Sequence, residues 1–202
     1  TDGTREILET MDVTVVDDPE VGYYQSRKMT GLAQRALELG ATWVVPFDAD
    51  ELHVAHEGRI ADTLEQLPAN VLVSEAPLFD HVATGHDRAL DDPVLRLRWR
   101  RCAQAPLRKV ACRARWDLVI HQGNHGASYG NDLVTIVNDR IEVRHFPYRS
   151  PEQMVRKAIN GKAAYDATDL SLEAGKHWRD YGRLVENGGP EALHDVFRQW
   201  FW

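Results

Sequence analysis

Between Tyr24 and Phe47 the chain commits itself to a layered fold. Met29, Leu32, Ala33, Ala36 and Leu37 recur at helical spacing, and Gly40 stands where a left-handed cap closes such a helix. Trp43-Val44-Val45-Pro46-Phe47 then reads as a buried strand. A strand that is apolar on both faces must be covered on both, which is the rhythm of an α/β domain with a parallel sheet. The expectation is an α/β fold with a mostly parallel central sheet flanked by helices. With 202 residues there is material for one domain and one sizeable core.

The rest of the chain extends this pattern and then changes it. Residues 4–11 have helical character, residues 13–16 form a short apolar strand candidate, residues 60–67 a helix and residues 71–76 a strand. From Val94 to Arg115 apolar and basic residues alternate, as Leu95, Leu97 and Trp99 do with Arg96, Arg98 and Arg100. Period two with one polar face predicts half-exposed antiparallel strands. Residues 117–121 and 141–145 are further strand candidates. Ser150-Pro151-Glu152-Gln153 is a helix start, with Ser as cap, Pro at the first helical position and Gln three residues after the cap. The remainder reads as helical, interrupted at Gly175 and at Gly188-Gly189-Pro190.

The net charge of −7 argues against a nucleic-acid partner, whose electrostatic footprint is an excess of Lys and Arg. Two cysteines without a CxxC spacing indicate neither a disulfide framework nor a structural zinc site, and a cytoplasmic setting is the simplest reading. No run is long and apolar enough to span a bilayer. The opening T-D-G-T looks like the interior of a motif, and sequence is expected upstream of it.

Asp48-Ala49-Asp50-Glu51 follows the apolar run directly. At a strand end, positions i and i+2 share a side, so Asp48 and Asp50 are candidates to hold one divalent cation. Mg²⁺ and Mn²⁺ suit such a pair, because they take carboxylates, waters and phosphate oxygens together. The competing reading is a polar loop whose acids cap a turn. A haloacid-dehalogenase-like phosphatase needs Thr or Val where Leu52 stands, and no phosphate-binding Gly-rich loop is present.

T-D-G-T-R-E-I-L, then G-L-A-Q-R-A-L-E-L-G-A-T-W-V-V-P-F-D-A-D-E, then R-H-F-P-Y-R-S-P-E-Q-M-V-R-K-A-I-N-G resembles bacterial family 2 glycosyltransferases of the GT-A fold, over residues 1 to about 161. The resemblance implies one Rossmann-like GT-A domain. Its parts are a nucleotide-sugar half at 1–78, a partly antiparallel acceptor half at 79–149 and a helical C-terminal part at 150–202. It also implies a nucleotide-diphosphate sugar as donor, Mn²⁺ or Mg²⁺ on Asp48 and Asp50, and an inverting transfer to the hydroxyl of a carbohydrate or other acceptor. Asp2 and Gly3 then lie at the nucleotide side of the cleft, and His145 returns to the metal as a third ligand. The family's first strand, its helix and its second strand have no counterpart in the sequence.

The resemblance also favours His125 within the polar loop His121-Gln122-Gly123-Asn124-His125-Gly126, whose alternative reading is a surface turn. Asp80, in the acceptor-side region, is a candidate general base, and Glu51 a candidate to orient the donor sugar or a metal-bound water. Lys157 is a candidate for a phosphate contact, against the plainer reading of a solvent-facing lysine. The nine cations between Arg88 and Arg115 read either as solvated strand faces or as a surface for an anionic acceptor or membrane headgroups. The C-terminal V-F-R-Q-W-F-W reads as a helix packing on the core, the alternative being an interfacial anchor. Rival functions are a non-catalytic nucleotide- or sugar-binding module and a metal-dependent phosphohydrolase.

Overall fold

The computed structural model describes residues 3–87, 90–132 and 134–201, the side chains of Trp200 and Phe201 excepted. Helices form at Thr4–Glu9 (α1), Gln25–Glu38 (α2), Ile60–Glu65 (α3), Pro93–Arg96 (α4), Pro151–Asp166 (α5) and Lys176–Phe201 (α6). Strands run at Trp43–Val44 (β1), Glu51–Ala55 (β2), Val73–Ala76 (β3), Leu78–Val82 (β4) and Trp99–Arg100 (β5). Lys109–Arg113 (β6), Leu118–Ile120 (β7), Ala127–Tyr129 (β8), Thr135–Val137 (β9) and Ile141–His145 (β10) complete them. None of the described helices is long and apolar enough to cross a membrane.

There are two four-stranded sheets, ordered β1-β6-β3-β9 and β2-β10-β4-β5, and a separate two-stranded β7-β8 sheet. β3 runs parallel to β9 and β10 parallel to β4. The other described ladders are antiparallel. The protein is therefore α/β with mixed sheets, which corrects the expectation of a mostly parallel one. Parallel neighbours need a long crossover, and the crossover from β3 to β9 itself carries β4 to β8, whose ladders turn back on one another.

Three local readings also change. Residues 13–16 join no ladder among the described residues, and Val13, Val15 and Val16 are exposed, because β-branched residues make a strand only where a partner edge meets them. The apolar run pairs only at Trp43 and Val44; Pro46 has no N–H to give a ladder, and Phe47 turns outward. At residues 93–96, Pro93 and an Asp92 side chain that accepts from the Val94 N–H start a short helix where alternation predicted a strand. β6 is antiparallel as expected, but Lys109, Val110, Ala111 and Cys112 are all buried.

Apolar packing fixes the layers. Ala33 of α2 packs with Leu72, Val110, Leu118, Ile120 and Tyr129 against the first sheet. Leu64 of α3 packs with Leu78, Ala111, Ile141 and Val143 between the sheets. Met154 and Ala158 of α5 meet Leu193 and Phe197 of α6 around Leu97 and Phe146. α6 bends at Gly189, whose φ of 72° lies in the left-handed region, immediately before Pro190.

The Ser150 cap forms as read from sequence. Its hydroxyl accepts from the Gln153 N–H at 3.2 Å, and the Gln153 side chain accepts from the Arg149 N–H at 3.1 Å. This cap, with Gln153 holding the preceding Arg149 N–H, sets the direction in which α5 leaves β10, and so carries Lys157 back over the acidic turn. Replacing Ser150 with Ala is expected to lower the unfolding free energy by about 1 kcal/mol, measured by urea denaturation.

Candidate functional site

Asp48 to Glu51 form a closed turn and not a strand end. The Glu51 N–H donates to the Asp48 carbonyl at 3.0 Å, and the Asp48 N–H donates to the Glu51 carboxylate at 3.2 Å. The i, i+2 alternation of a strand does not hold in a turn, and the acids face different partners. Asp48 takes the Lys109 ammonium at 2.8 Å on one oxygen; the other accepts from Gln25 at 2.5 Å and Asn124 at 3.2 Å.

Lys109 also reaches Glu51 at 2.7 Å and the Gly123 carbonyl at 2.7 Å, with 3% of its side chain exposed. The buried ammonium hydrogen-bonds Asp48 and the Gly123 carbonyl and pairs with Glu51 as an ion, and so neutralises acids that burial alone would not tolerate. Burial pushes the Glu51 carboxyl up from its ordinary range, and Lys109 opposes that shift. Burial, with the nearby Lys109 charge, pushes His53 down to about 4.

Asp50 belongs to a second group. Its carbonyl accepts from the Phe146 N–H at 2.8 Å, tying the turn to the end of β10. Its carboxylate is paired with Lys157 from α5 and lies 3.8 Å from His145 Nε2. His145 Nδ1 is 2.8 Å from Asp80 on the neighbouring parallel strand. Because a carboxylate only accepts, Nδ1 carries the proton. Asp80 thus acts as the orienting acceptor that a ligating imidazole needs behind it, and the general-base role expected for it competes with that bond.

Asp50, Glu51 and His145 each offer a donor atom, and these lie within 4.8 Å of one another. Two carboxylate oxygens and an imidazole nitrogen are a donor set suited to Mn²⁺ or Mg²⁺. The expectation paired Asp48 with Asp50; the geometry groups Glu51 with Asp50 and His145, while Lys109 holds both Asp48 and Glu51. The fit to a cation is chemical, and Lys157 stands on Asp50 as a competitor.

These groups line one cavity of about 530 Å³. Tyr148 and the α5–α6 side chains Tyr165, His177 and Trp178 form an aromatic wall to it. Trp178 packs on α5 at Gly161, where a Cβ would meet its ring at 3.0 Å. The Lys157 ammonium lies 5.4 Å from the Trp178 ring centroid and 5.7 Å from that of Tyr148. His125 also lines the cavity. Its Nδ1 donates to the Arg108 carbonyl at 2.8 Å, leaving Nε2 as the acceptor. Burial holds its pKa below that of a free imidazole. Its ring lies over Gly123, where φ is 78° and a Cβ would meet the ring at 2.5 Å.

Of the residues named from sequence, Asp48, Asp50, Glu51, Asp80, His125, His145 and Lys157 meet in this cavity. Gly3 precedes α1 in a left-handed conformation and is not among the lining residues, and Asp2 lies outside the described residues. Sequence reasoning missed Lys109, Gln25 and the aromatic wall. A lysine opening the small-residue run Lys109-Val110-Ala111-Cys112 was a signal, masked by the alternation that read it as solvent-facing.

Removing the Lys109 charge by Lys109→Met is expected to cost about 3–5 kcal/mol in denaturant unfolding, since Asp48 and Glu51 lose their shared cation. Lys157→Met is expected to tighten Mn²⁺ binding by roughly fivefold in calorimetry, the effect of one competing charge. Compared with known proteins, the chain matches no family model, no curated protein and no solved structure.

Proposed function

We propose that the protein is a metal-assisted glycosyltransferase that moves a sugar from a nucleotide-diphosphate donor to an acceptor hydroxyl with inversion. The observation that carries this reading is one cavity holding both the Asp50, Glu51 and His145 donor set and a neutral imidazole, His125. The GT-A reading of the mixed sheets, with its nucleotide, acceptor and helical parts, belongs to the same proposal, and the motifs quoted above support it.

Asp50, Glu51 and His145 would hold the Mn²⁺ or Mg²⁺. When bound, the cation supplies Lewis-acid neutralisation of the charge that develops on the leaving diphosphate. Asp80 keeps the His145 ring in place. Lys109 holds Asp48 and Glu51 so that the turn keeps its shape. Lys157, once released from Asp50, is a cation within reach of a phosphate oxygen. His125, neutral and fixed through Nδ1, takes the acceptor hydroxyl proton at Nε2. Inversion needs a base and no protein nucleophile, which this set satisfies. Tyr148 and Trp178 exclude water and offer a flat face to a sugar ring or base.

A donor panel with Mn²⁺ or Mg²⁺ tests the reading. Sugar transfer is expected, falling by about a hundredfold or more in Asp50→Asn and by about 10²–10⁴ in His125→Asn. Because the His125 pKa is lowered from 6.5, the base remains deprotonated as the pH falls through that value. The acid limb of the rate profile is therefore expected below pH 6.5. Unchanged turnover in Asp50→Asn overturns the metal assignment.

The two lysines that already neutralise the acids favour a second reading, a nucleotide- or sugar-binding module without chemistry. Nucleotide binding in calorimetry with no transfer across the donor panel selects that reading.

A further inference from the structure

The basic segment leading to the cavity has a composition unlike the rest of the molecule. Pro93 to Arg108 carries five arginines and no acid in a chain of net charge −7. Leu97 is its anchor, with no exposed surface, in the core beneath α5 and α6. On either side of that anchor, Leu95 is 59% and Trp99 60% exposed, and Val94 also faces solvent.

Arg96, Arg98, Trp99 and His86 line one cleft of about 420 Å³. Asp87 shares that cleft but is turned to Thr84, accepting from its N–H at 3.0 Å and its hydroxyl at 2.9 Å. Asp92 is used as the cap of α4. Arg96 donates to the Arg149 carbonyl, and Arg100 pairs with Glu142. The Arg98 side chain has no hydrogen bond or ion pair among the described residues. β5 is the edge strand of its sheet, so the patch has no neighbour on that side among the described strands.

We infer that this edge docks on an anionic lipid bilayer. Exposed Trp and Leu set among arginines are the pattern of an interfacial contact, where apolar groups enter the headgroup boundary and cations meet the phosphates. The negative charge of the rest of the molecule does not oppose it at a distance, since screening acts over about 8 Å at physiological salt. An edge without the apolar residues would suit any polyanion; Leu95 and Trp99 make the lipid surface the matching partner.

The placement bears on the cavity. β5 pairs with β4, the Arg101 N–H donates to the Asp80 carbonyl at 3.0 Å, and Ala105, Pro106 and Leu107 of the same segment line the cavity. Leu107 is itself 53% exposed. A bilayer on this edge therefore lies beside the acceptor side of the cleft. Resting on the transferase reading, the acceptor is a hydroxyl borne by the membrane.

Vesicle co-sedimentation, run without donor or metal, tests the docking separately from sugar transfer. The protein is expected to sediment with phosphatidylcholine vesicles containing phosphatidylglycerol, to ignore pure phosphatidylcholine, and to be released at high salt. Arg98→Glu removes one attraction and adds one repulsion, each about fivefold, so partition is expected to fall about 25-fold. Trp99→Ser is expected to weaken it as well, whereas Arg35→Glu on α2, far along the chain from this edge, leaves it unchanged. Absence of partition, or partition that Arg98→Glu and Trp99→Ser leave as it was, overturns the inference. Partition without transfer over the donor panel keeps the docking and overturns the transferase reading alone.

Discussion

The ammonium of Lys109 is the interaction on which the cleft depends. It enters from the first residue of β6, inside the first sheet, and meets Asp48, Glu51 and the Gly123 carbonyl together. Those three partners come from the acidic turn and from the polar loop that carries His125. One buried charge thereby fixes the distance between two loops that have no ladder in common. A turn with three acids would otherwise spread by mutual repulsion, and a loop with Gly123 and Asn124 at positive φ would have little to hold it. The strand supplies rigidity and the charge supplies registration.

Much of this was legible from local pattern. The α2 periodicity ended at Gly40 as expected, β10 ended at His145, and the Ser150 cap formed with both of its bonds. Each is a signal contained within a few residues. Strand direction is not such a signal, because whether β6 runs against β3 depends on crossovers made far away in the chain. Lys109 failed for a related reason. Period two identifies two faces of a strand but not which of them meets solvent, and β6 is covered on both. The acidic turn was found by composition and misread in shape, since Pro46 ends the ladder before Asp48 is reached.

The aromatic wall was beyond sequence reasoning altogether. Tyr148, Tyr165 and Trp178 are spread through the last part of the chain, where aromatic residues at helical spacing read as core. Two glycines decide otherwise. Gly161 lets Trp178 lie against α5, and Gly175, at φ 63°, admits the Tyr165 ring, which any Cβ there would strike. The helical part is thus both a hydrophobic buttress around Leu97 and one side of the cavity.

The acids and their cations are far apart along the chain: 61 residues separate Asp48 from Lys109, and 107 separate Asp50 from Lys157. Contacts of such long range form only after the loop-closure entropy has been met. Asp50 therefore gains its cation only when α5 docks on the turn. With both sheets formed and α5 undocked, Lys109 already holds Asp48 and Glu51, and Asp50 is the acid of the turn that lacks the Lys157 cation. The last part of the cleft's charge balance arrives with the helix that closes it, so a chain with α5 undocked presents one more uncompensated acid than the finished protein.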